Sequence, residues 1–154
     1  MGLRERISAD TKEAMKAKET ARLSTLRLIS AAIKDREIAA RSEGGDEAGL
    51  SDADLTAILS KMVKQRQESA KAYEEGGRLE LAEREQDEIR VIQSYLPRQL
   101  TEAETEAAIA GVIADLGANS IRDMGRVMAE LRARHAGQMD FGAVGALIKD
   151  RLLG

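Results

Sequence analysis

The sequence predicts an all-α protein with an N-terminal four-helix domain, containing a helical hairpin, and a small three-helix domain behind it. The chain of 154 residues has one proline and many of the residues that favour helix most, namely alanine, leucine, arginine and glutamate. Aromatic residues make up 2% of the chain and hydrophobic residues 43%, so a core of aliphatic side chains is expected. Apolar side chains also recur at helical spacing along most of the chain.

Four helices are predicted before the proline. Ser51 and Asp54 resemble a capping box, which marks the start of the third helix. Gly76 and Gly77 end that helix and allow the chain to reverse, and Pro97 disfavours helical geometry in the residue before it. A mobile loop rich in glycine and acidic residues is predicted between the second and third helices, at 42–50. The predicted helices cover residues 3–17, 20–41, 51–75 and 79–95.

Three shorter helices are predicted after the proline. Thr101 and Glu104 form a second capping-box pattern, and Ser120 with Asp123 forms a third. The predicted helices cover residues 102–116, 120–137 and 140–152. These short helices with clear stops, set behind the single proline, predict a domain boundary there. The domains are expected to be residues 1–97 and 98–154.

Composition and charge narrow the function classes. The net charge is −3 and the sequence pI is about 5.4, so the chain as a whole has no attraction for nucleic acid or anionic membranes. Without cysteine there is neither a disulfide framework nor a thiolate metal site. The N-terminus lacks the apolar core of a signal peptide, and no apolar run approaches 18 residues. A cytoplasmic protein of bacterial type is the resulting expectation, with no metal.

The predicted hairpin brings two charged residues towards each other. If the third and fourth helices fold back about the paired glycines, Arg66 comes within half a turn of Glu85. Each interrupts an apolar stripe, so we interpret them as a structural ion pair that sets the register of the hairpin. A substrate-binding arginine is the alternative.

A basic side is expected on the third helix. Its lysines, Lys61, Lys64 and Lys71, recur at helical spacing, but Glu68 lies among them as an ion-pair partner. A solvated face is therefore favoured over a secondary contact with nucleic acid. The acidic segment 83–88 has arginines interleaved and no histidine beside it, so no catalytic residue is expected there.

The sixth predicted helix carries a strip of small residues edged by arginines. The strip consists of Gly125, Ala129 and Ala133, which recur every four residues, and a glycine inside a helix costs about 1 kcal/mol relative to alanine. Arg122, Arg126 and Arg132 lie along its borders. Either a neighbouring helix or a sugar-phosphate chain could approach such a strip closely, and residue chemistry alone slightly favours the helix.

Three segments resemble the YqeY-like family: "STLRLISAAIKDREI" (24–38), the segment 61–100 with its "SYLPRQL" junction, and "GANSIRDMGRVMAELRARHAG" (117–137). The C-terminal part is similar to the tail domain of GatB, a component of the glutamine-dependent aspartyl/glutamyl-tRNA amidotransferase. The resemblance implies an all-α fold with a three-helix tail-like domain. It also implies tRNA as a partner, together with a tRNA synthetase or amidotransferase subunits.

The function implied by this resemblance is that of a tRNA-binding accessory module without its own active site. Arg122, Arg126 and Arg132 would contact phosphates around Gly125. One alternative is a component of a glutamine-dependent carbon–nitrogen ligase that acts with partner subunits, and another is a protein–protein adaptor without RNA contact. The catalytic domain of the amidotransferase has no counterpart in this chain, so the resemblance implies no cofactor.

Overall fold

The computed structural model describes residues 2–44 and 49–153, and all regular structure in that part of the chain is helical. The prediction of an all-α fold is confirmed. Residues 45–48, which belong to the predicted loop at 42–50, lie outside the described residues. No helix in the described ranges has both the length and the hydropathy needed to cross a membrane.

Seven α-helices lie within the described residues. Four precede the proline, and they are α1 (Leu3–Lys16), α2 (Thr20–Ser42), α3 (Asp52–Glu75) and α4 (Leu79–Gln93). Three follow it, and they are α5 (Glu102–Leu116), α6 (Met124–Arg134) and α7 (Phe141–Leu153). Each predicted helix therefore has an observed counterpart.

The capping boxes at Ser51 and Thr101 begin helices where the sequence predicts them. The Ser51 hydroxyl accepts from the backbone N–H of Asp54 at 3.2 Å, and the Asp54 carboxylate accepts from the backbone N–H of Ser51 at 2.9 Å. Thr101 and Glu104 make the same exchange at 3.1 and 3.0 Å. These bonds satisfy backbone donors that have no partner inside the helix, which fixes the first residues of α3 and α5.

An arginine reinforces the second of these boxes. Two guanidinium nitrogens of Arg98 donate to the two carboxylate oxygens of Glu104, each at 2.8 Å. This bidentate contact, followed by the backbone hydrogen bond from Thr101, lowers the pKa of Glu104 to about 2. The carboxylate therefore stays ionised over the whole range in which proteins normally work.

The predicted helix 120–137 is shorter than expected and begins differently. A 3₁₀ turn, Ile121–Asp123, comes first, and α6 starts only at Met124 and ends at Arg134. The Asp123 carboxylate accepts from the backbone N–H groups of Asn119 and Ser120 at 2.9 and 3.3 Å. The first turn is of the 3₁₀ type because the backbone N–H of Asp123 donates to the carbonyl of Ser120, three residues earlier, at 3.0 Å.

Residues Met1–Leu96 form one compact unit. In it, α3 and α4 pack along each other as the predicted hairpin, and Gly77 at the reversal has φ +73°, a conformation that favours glycine. The core of this unit is almost wholly aliphatic. Its fully buried side chains include Leu26, Ile29, Leu55, Leu59 and Ile92.

Residues Pro97–Gly154 form a second compact unit with a core of its own. Helices α5, α6 and α7 supply that core. Its fully buried side chains are Ile109, Val112, Val127, Leu131 and Ile148. Separate cores are what two domains require, but the predicted split into 1–97 and 98–154 as independently folding domains stays a prediction.

Candidate functional site

The small residues predicted to form a strip do lie together on α6. Gly125, Ala129 and Ala133 are all exposed, and we call them the α6 strip. Val127 and Leu131, on another side of the same helix, are fully buried in the core of the second unit. The strip therefore faces solvent because the apolar side of the helix faces the core.

Gly125 lies within α6, as the sequence predicts, but in its first turn and not in the middle of the helix. Since the 3₁₀ turn delays the start of α6, Gly125 is the second residue of the helix. A Cβ atom added there would meet no heavy atom within 4 Å. Nothing in the described part of the chain approaches this backbone closely, so the packing of a neighbouring helix of the same chain does not explain the glycine.

Replacing Gly125 by alanine should therefore stabilise the protein. Alanine fits the open space, loses less conformational freedom on folding and favours helix, so the free energy of unfolding should rise by about 0.5 kcal/mol. Urea denaturation followed by circular dichroism measures the change. Gly117→Ala is the control, because φ there is +62° and alanine should cost about 1 kcal/mol. A loss of stability at Gly125 would contradict the placement.

The arginines beside the strip differ in their surroundings. Arg126 pairs with Asp123 at 2.8 Å, and Arg132 lies over the ring of Phe141 at 5.7 Å from its centroid. Arg122 is exposed and makes no hydrogen bond or ion pair with any residue that the structure describes. Of the arginines predicted to line the strip, Arg126 therefore has its charge offset by a carboxylate, and Arg132 is held by an aromatic ring.

Asp123 is the residue that most reduces the positive charge beside the strip. Its pKa is lowered from its ordinary value, first by the backbone hydrogen bond from Asn119 and then by the hydrogen bond from Arg126. The carboxylate is therefore ionised beside Arg122, its neighbour in sequence, and Arg126, its ion-pair partner. A phosphate at this position would meet a negative charge as well as the arginines.

The basic side of α3 lies where the sequence places it. Lys61, Lys64 and Lys71 are all exposed, and Glu68 between them is exposed as well. Their arrangement fits the predicted solvated face. Contact of these lysines with nucleic acid stays untested.

The ion pair of the hairpin uses a different glutamate from the one predicted. Arg66 donates through Nε to Glu88 at 2.9 Å, one turn further along α4 than Glu85. The two side chains are 16% and 24% exposed. Arg66 also donates to the backbone carbonyl of Met62 at 3.3 Å. If α3 and α4 pair antiparallel about the two glycines, Glu88 lies closer than Glu85 to the position opposite Arg66. This register of the hairpin could have identified Glu88 from the sequence.

Glu85 nevertheless belongs to the same cluster. Burial raises the pKa of Glu85, the charge of Glu88 raises it further, and the charge of Arg66 lowers it. One guanidinium therefore serves two carboxyl groups, although it forms a hydrogen bond with only one of them.

A polar contact between α1 and the end of α4 escaped the sequence analysis. The Tyr95 hydroxyl donates to the Asp10 carboxylate at 2.6 Å, and the Arg6 guanidinium lies 5.3 Å from the centroid of the Tyr95 ring. Burial and the bond to Asp10 raise the pKa of Tyr95 to about 12. The rarity of tyrosine in this chain was the only feature of the sequence that could have pointed to this contact. The contact joins α1 to the turn that follows α4, within the first unit.

The structure thus defines an all-α protein with two compact units and an exposed α6 strip. The chain belongs to the YqeY-like family, because the family model described as "Yqey-like protein" matches residues 4–152. The predicted membership is confirmed. Within the described residues, no group of three or more histidine, cysteine or acidic side chains is arranged to hold a metal ion.

Curated relatives of the chain include fungal proteins named "Altered inheritance of mitochondria protein 41, mitochondrial". The protein from Lachancea thermotolerans is 34% identical over 112 residues, which is 71% of this chain and 57% of the relative. That from Eremothecium gossypii is 38% identical over 90 residues, 58% of this chain and 46% of the relative. That from Kluyveromyces lactis is 31% identical over 113 residues, 71% and 58% of the two chains. The chain thus spans about half the length of these relatives.

These relatives correct the predicted function. They are named for the inheritance of mitochondria, so the prediction of a tRNA-binding accessory module is wrong, as is its alternative, a component of a carbon–nitrogen ligase. The adaptor alternative finds no support in these names either. The error arose because the function was carried over from the amidotransferase tail. The expected partners, tRNA with a synthetase or amidotransferase subunits, stay untested.

The predicted location is corrected by the same comparison. The relatives are named as mitochondrial and come from eukaryotes, whereas the sequence predicted a cytoplasmic protein of bacterial type. That prediction depended on the lack of a signal core at the N-terminus. Such a lack says nothing about transport into mitochondria, because transit peptides are amphipathic and rich in arginine and serine instead.

Proposed function

We propose that this protein acts in mitochondria, in the inheritance process for which its relatives are named. The observation that carries the proposal is the extent of the likeness to the Lachancea thermotolerans protein. It includes 71% of this chain, about 109 residues, whereas the first compact unit has 96. The likeness therefore reaches beyond one unit, and the proposed role belongs to the two helical units together.

The proposal assigns the role to the part of the relatives that this chain matches. The matched part is 57% of the Lachancea thermotolerans protein and 58% of the Kluyveromyces lactis protein. In this chain each of the two helical units has an apolar core of its own. The exposed faces of their helices then provide the surface through which the role is carried out.

Complementation in Kluyveromyces lactis tests this proposal. A strain that lacks its own protein 41 receives this chain fused to a mitochondrial presequence, and the fraction of daughter cells that inherit mitochondria is scored by microscopy. We expect the fusion to restore inheritance and the same chain fused to a cytosolic retention domain to restore none. A truncated Kluyveromyces lactis protein, consisting of the matched 113 residues fused to the same presequence, is the reference and should restore inheritance too.

Each failure has a definite meaning. If the truncated relative rescues the strain and a stably accumulated fusion does not, this chain lacks the proposed role. If the truncated relative also fails, the matched part is not sufficient and the assignment to the two helical units is wrong. Rescue by the chain retained in the cytosol would contradict the proposed location.

A further inference from the structure

We propose that the outer face of α2 binds an amphipathic helix with an acidic edge, supplied by a partner protein. This face consists of six residues that follow one another at alternating spacings of three and four. They are Ala21, Ser24, Leu28, Ala31, Asp35 and Ile38. At the helical rise they span about 25 Å, or nearly five turns.

All six residues of the outer face are exposed, including two large apolar side chains. Leu28 is 41% exposed and Ile38 is 52% exposed. The opposite side of α2 is already used, since Leu26, Ile29 and Ile33 are buried in the core of the first unit. Helix α2 therefore has a second apolar stripe that its own unit does not cover.

The spacing of the outer face suits another helix. A repeat of 3.5 residues keeps one stripe facing a partner helix over several turns, whereas exposed apolar residues scattered singly need no explanation. Ala31 between Leu28 and Ile38 leaves room for a large side chain of the partner. Asp35 places one carboxylate in the stripe, and a single polar residue at such a position fixes the register of the pair.

A row of basic side chains indicates the charge of the partner. Arg27, Lys34 and Arg41 recur every seven residues along one edge of the outer face, and all three are exposed. None of them makes an ion pair within the described part of the chain. This basic edge complements a partner helix that carries glutamate or aspartate at the facing positions.

The other arginines of α2 are paired, which makes the basic edge distinctive. Arg22 contacts Glu19, at 3.3 Å, and Arg36 contacts Glu43, at 3.7 Å. On the same helix Glu37 pairs with Arg4 of α1. Arg22, Arg36 and Glu37 are thus paired within the chain, whereas the charges along the basic edge are available to a partner.

A second copy of this chain is disfavoured as the occupant. If two α2 helices met antiparallel, Arg27 of one copy would face Lys34 of the other along the edge, and like charges repel. If they met in parallel, Asp35 of one copy would face Asp35 of the other inside the stripe. The charges therefore favour a different, acidic helix over self-association.

The inference deepens the proposed function by naming the class of partner that α2 takes, and it rests on that function for its cellular setting. Binding is measured with the purified chain, so the two proposals fail separately. A failure in the binding assay leaves the outcome of complementation unchanged. A failure of complementation leaves the binding result unchanged.

The test uses two labelled helical peptides of about 20 residues, measured by fluorescence anisotropy with the full chain. Both peptides carry leucine at the positions that face the apolar residues of α2 and one asparagine that faces Asp35. The positions beside these leucines are all glutamate in one peptide and all lysine in the other. We expect the glutamate peptide to bind at least about tenfold more tightly. Arg27→Glu/Lys34→Glu should reverse the preference, and Leu28→Asp should abolish binding.

A matched charge reversal on another helix controls for net charge. Lys61→Glu/Lys71→Glu changes two exposed lysines of α3 by the same amount and should keep the preference for the glutamate peptide. Circular dichroism checks that each variant stays folded. The proposal is overturned if the glutamate peptide does not bind, or if both peptides bind equally. The proposal is also refuted if Arg27→Glu/Lys34→Glu still prefers the glutamate peptide. It is refuted as well if the chain forms a dimer with itself that Leu28→Asp dissociates.

Discussion

Replacing Leu131 by alanine should destabilise the C-terminal unit by about 3 kcal/mol, since truncation of a fully buried leucine costs about 2–5 kcal/mol. Leu131 is 0% exposed and lies in the core that α5, α6 and α7 share. The residues that form this core with it are apolar side chains of the same unit, so the truncation leaves a cavity with an apolar lining. Thermal and urea unfolding measure the loss.

The two tyrosines make this variant a test of the domain boundary. Tyr73 and Tyr95 both lie in the first unit, and the chain has no tryptophan. Tyrosine fluorescence therefore reports on the first unit, whereas circular dichroism reports on all the helices. We expect Leu131→Ala to produce an early transition by circular dichroism while the fluorescence transition keeps its midpoint.

A matched truncation in the other core is the control. Leu59 is likewise 0% exposed, and Leu59→Ala should move the fluorescence transition instead. If Leu131→Ala shifts both signals together, the two units unfold as one cooperative body, and the predicted domains 1–97 and 98–154 are wrong.

The helices could be predicted because their start signals are local. The capping boxes at Ser51 and Thr101 each involve a residue and its third neighbour, so the sequence contains all the information that the contact needs. The start of α6 was predicted less well. There the side chain of Asp123 also takes the backbone N–H of Asn119, and a spacing pattern does not distinguish the resulting 3₁₀ turn from an α-helix.

Contacts between distant residues were harder to predict. Arg66 has two glutamates on α4 within one turn of each other, and the choice of Glu88 depends on the exact register of the hairpin. The bond between Tyr95 and Asp10 joins residues 85 positions apart, for which no local pattern exists. For Gly125 the sequence left open whether a neighbouring helix or a sugar-phosphate chain approaches, and only the packing of α6 shows that the glycine borders open space.

Removing Arg66 should have a large effect because it leaves two partly buried carboxyl groups without their cation. Arg66→Leu should lower the free energy of unfolding by about 2 kcal/mol at neutral pH, less than for a fully buried pair since Arg66 is 16% exposed. Glu85→Gln, by contrast, should be neutral or stabilising, because burial already disfavours the ionised form of Glu85. Chemical denaturation of the wild-type protein, Arg66→Leu and Glu85→Gln measures these differences in the free energy of unfolding. The double variant Arg66→Leu/Glu88→Leu should recover part of the loss.

The pH dependence of the Arg66→Leu variant separates charge from packing. The folded state already raises the pKa of Glu85 above its usual 4.5, and Arg66 is the one cause that lowers it. Without Arg66 the pKa of Glu85 should rise further. A carboxyl group with a raised folded pKa destabilises the protein while it is ionised, and stability returns as the pH falls through that pKa. The deficit of the variant relative to wild type should therefore shrink as the pH is lowered from 7 to about 5. A deficit that stays constant over this range would show that the arginine acts through the packing of its aliphatic stem, and not through its charge.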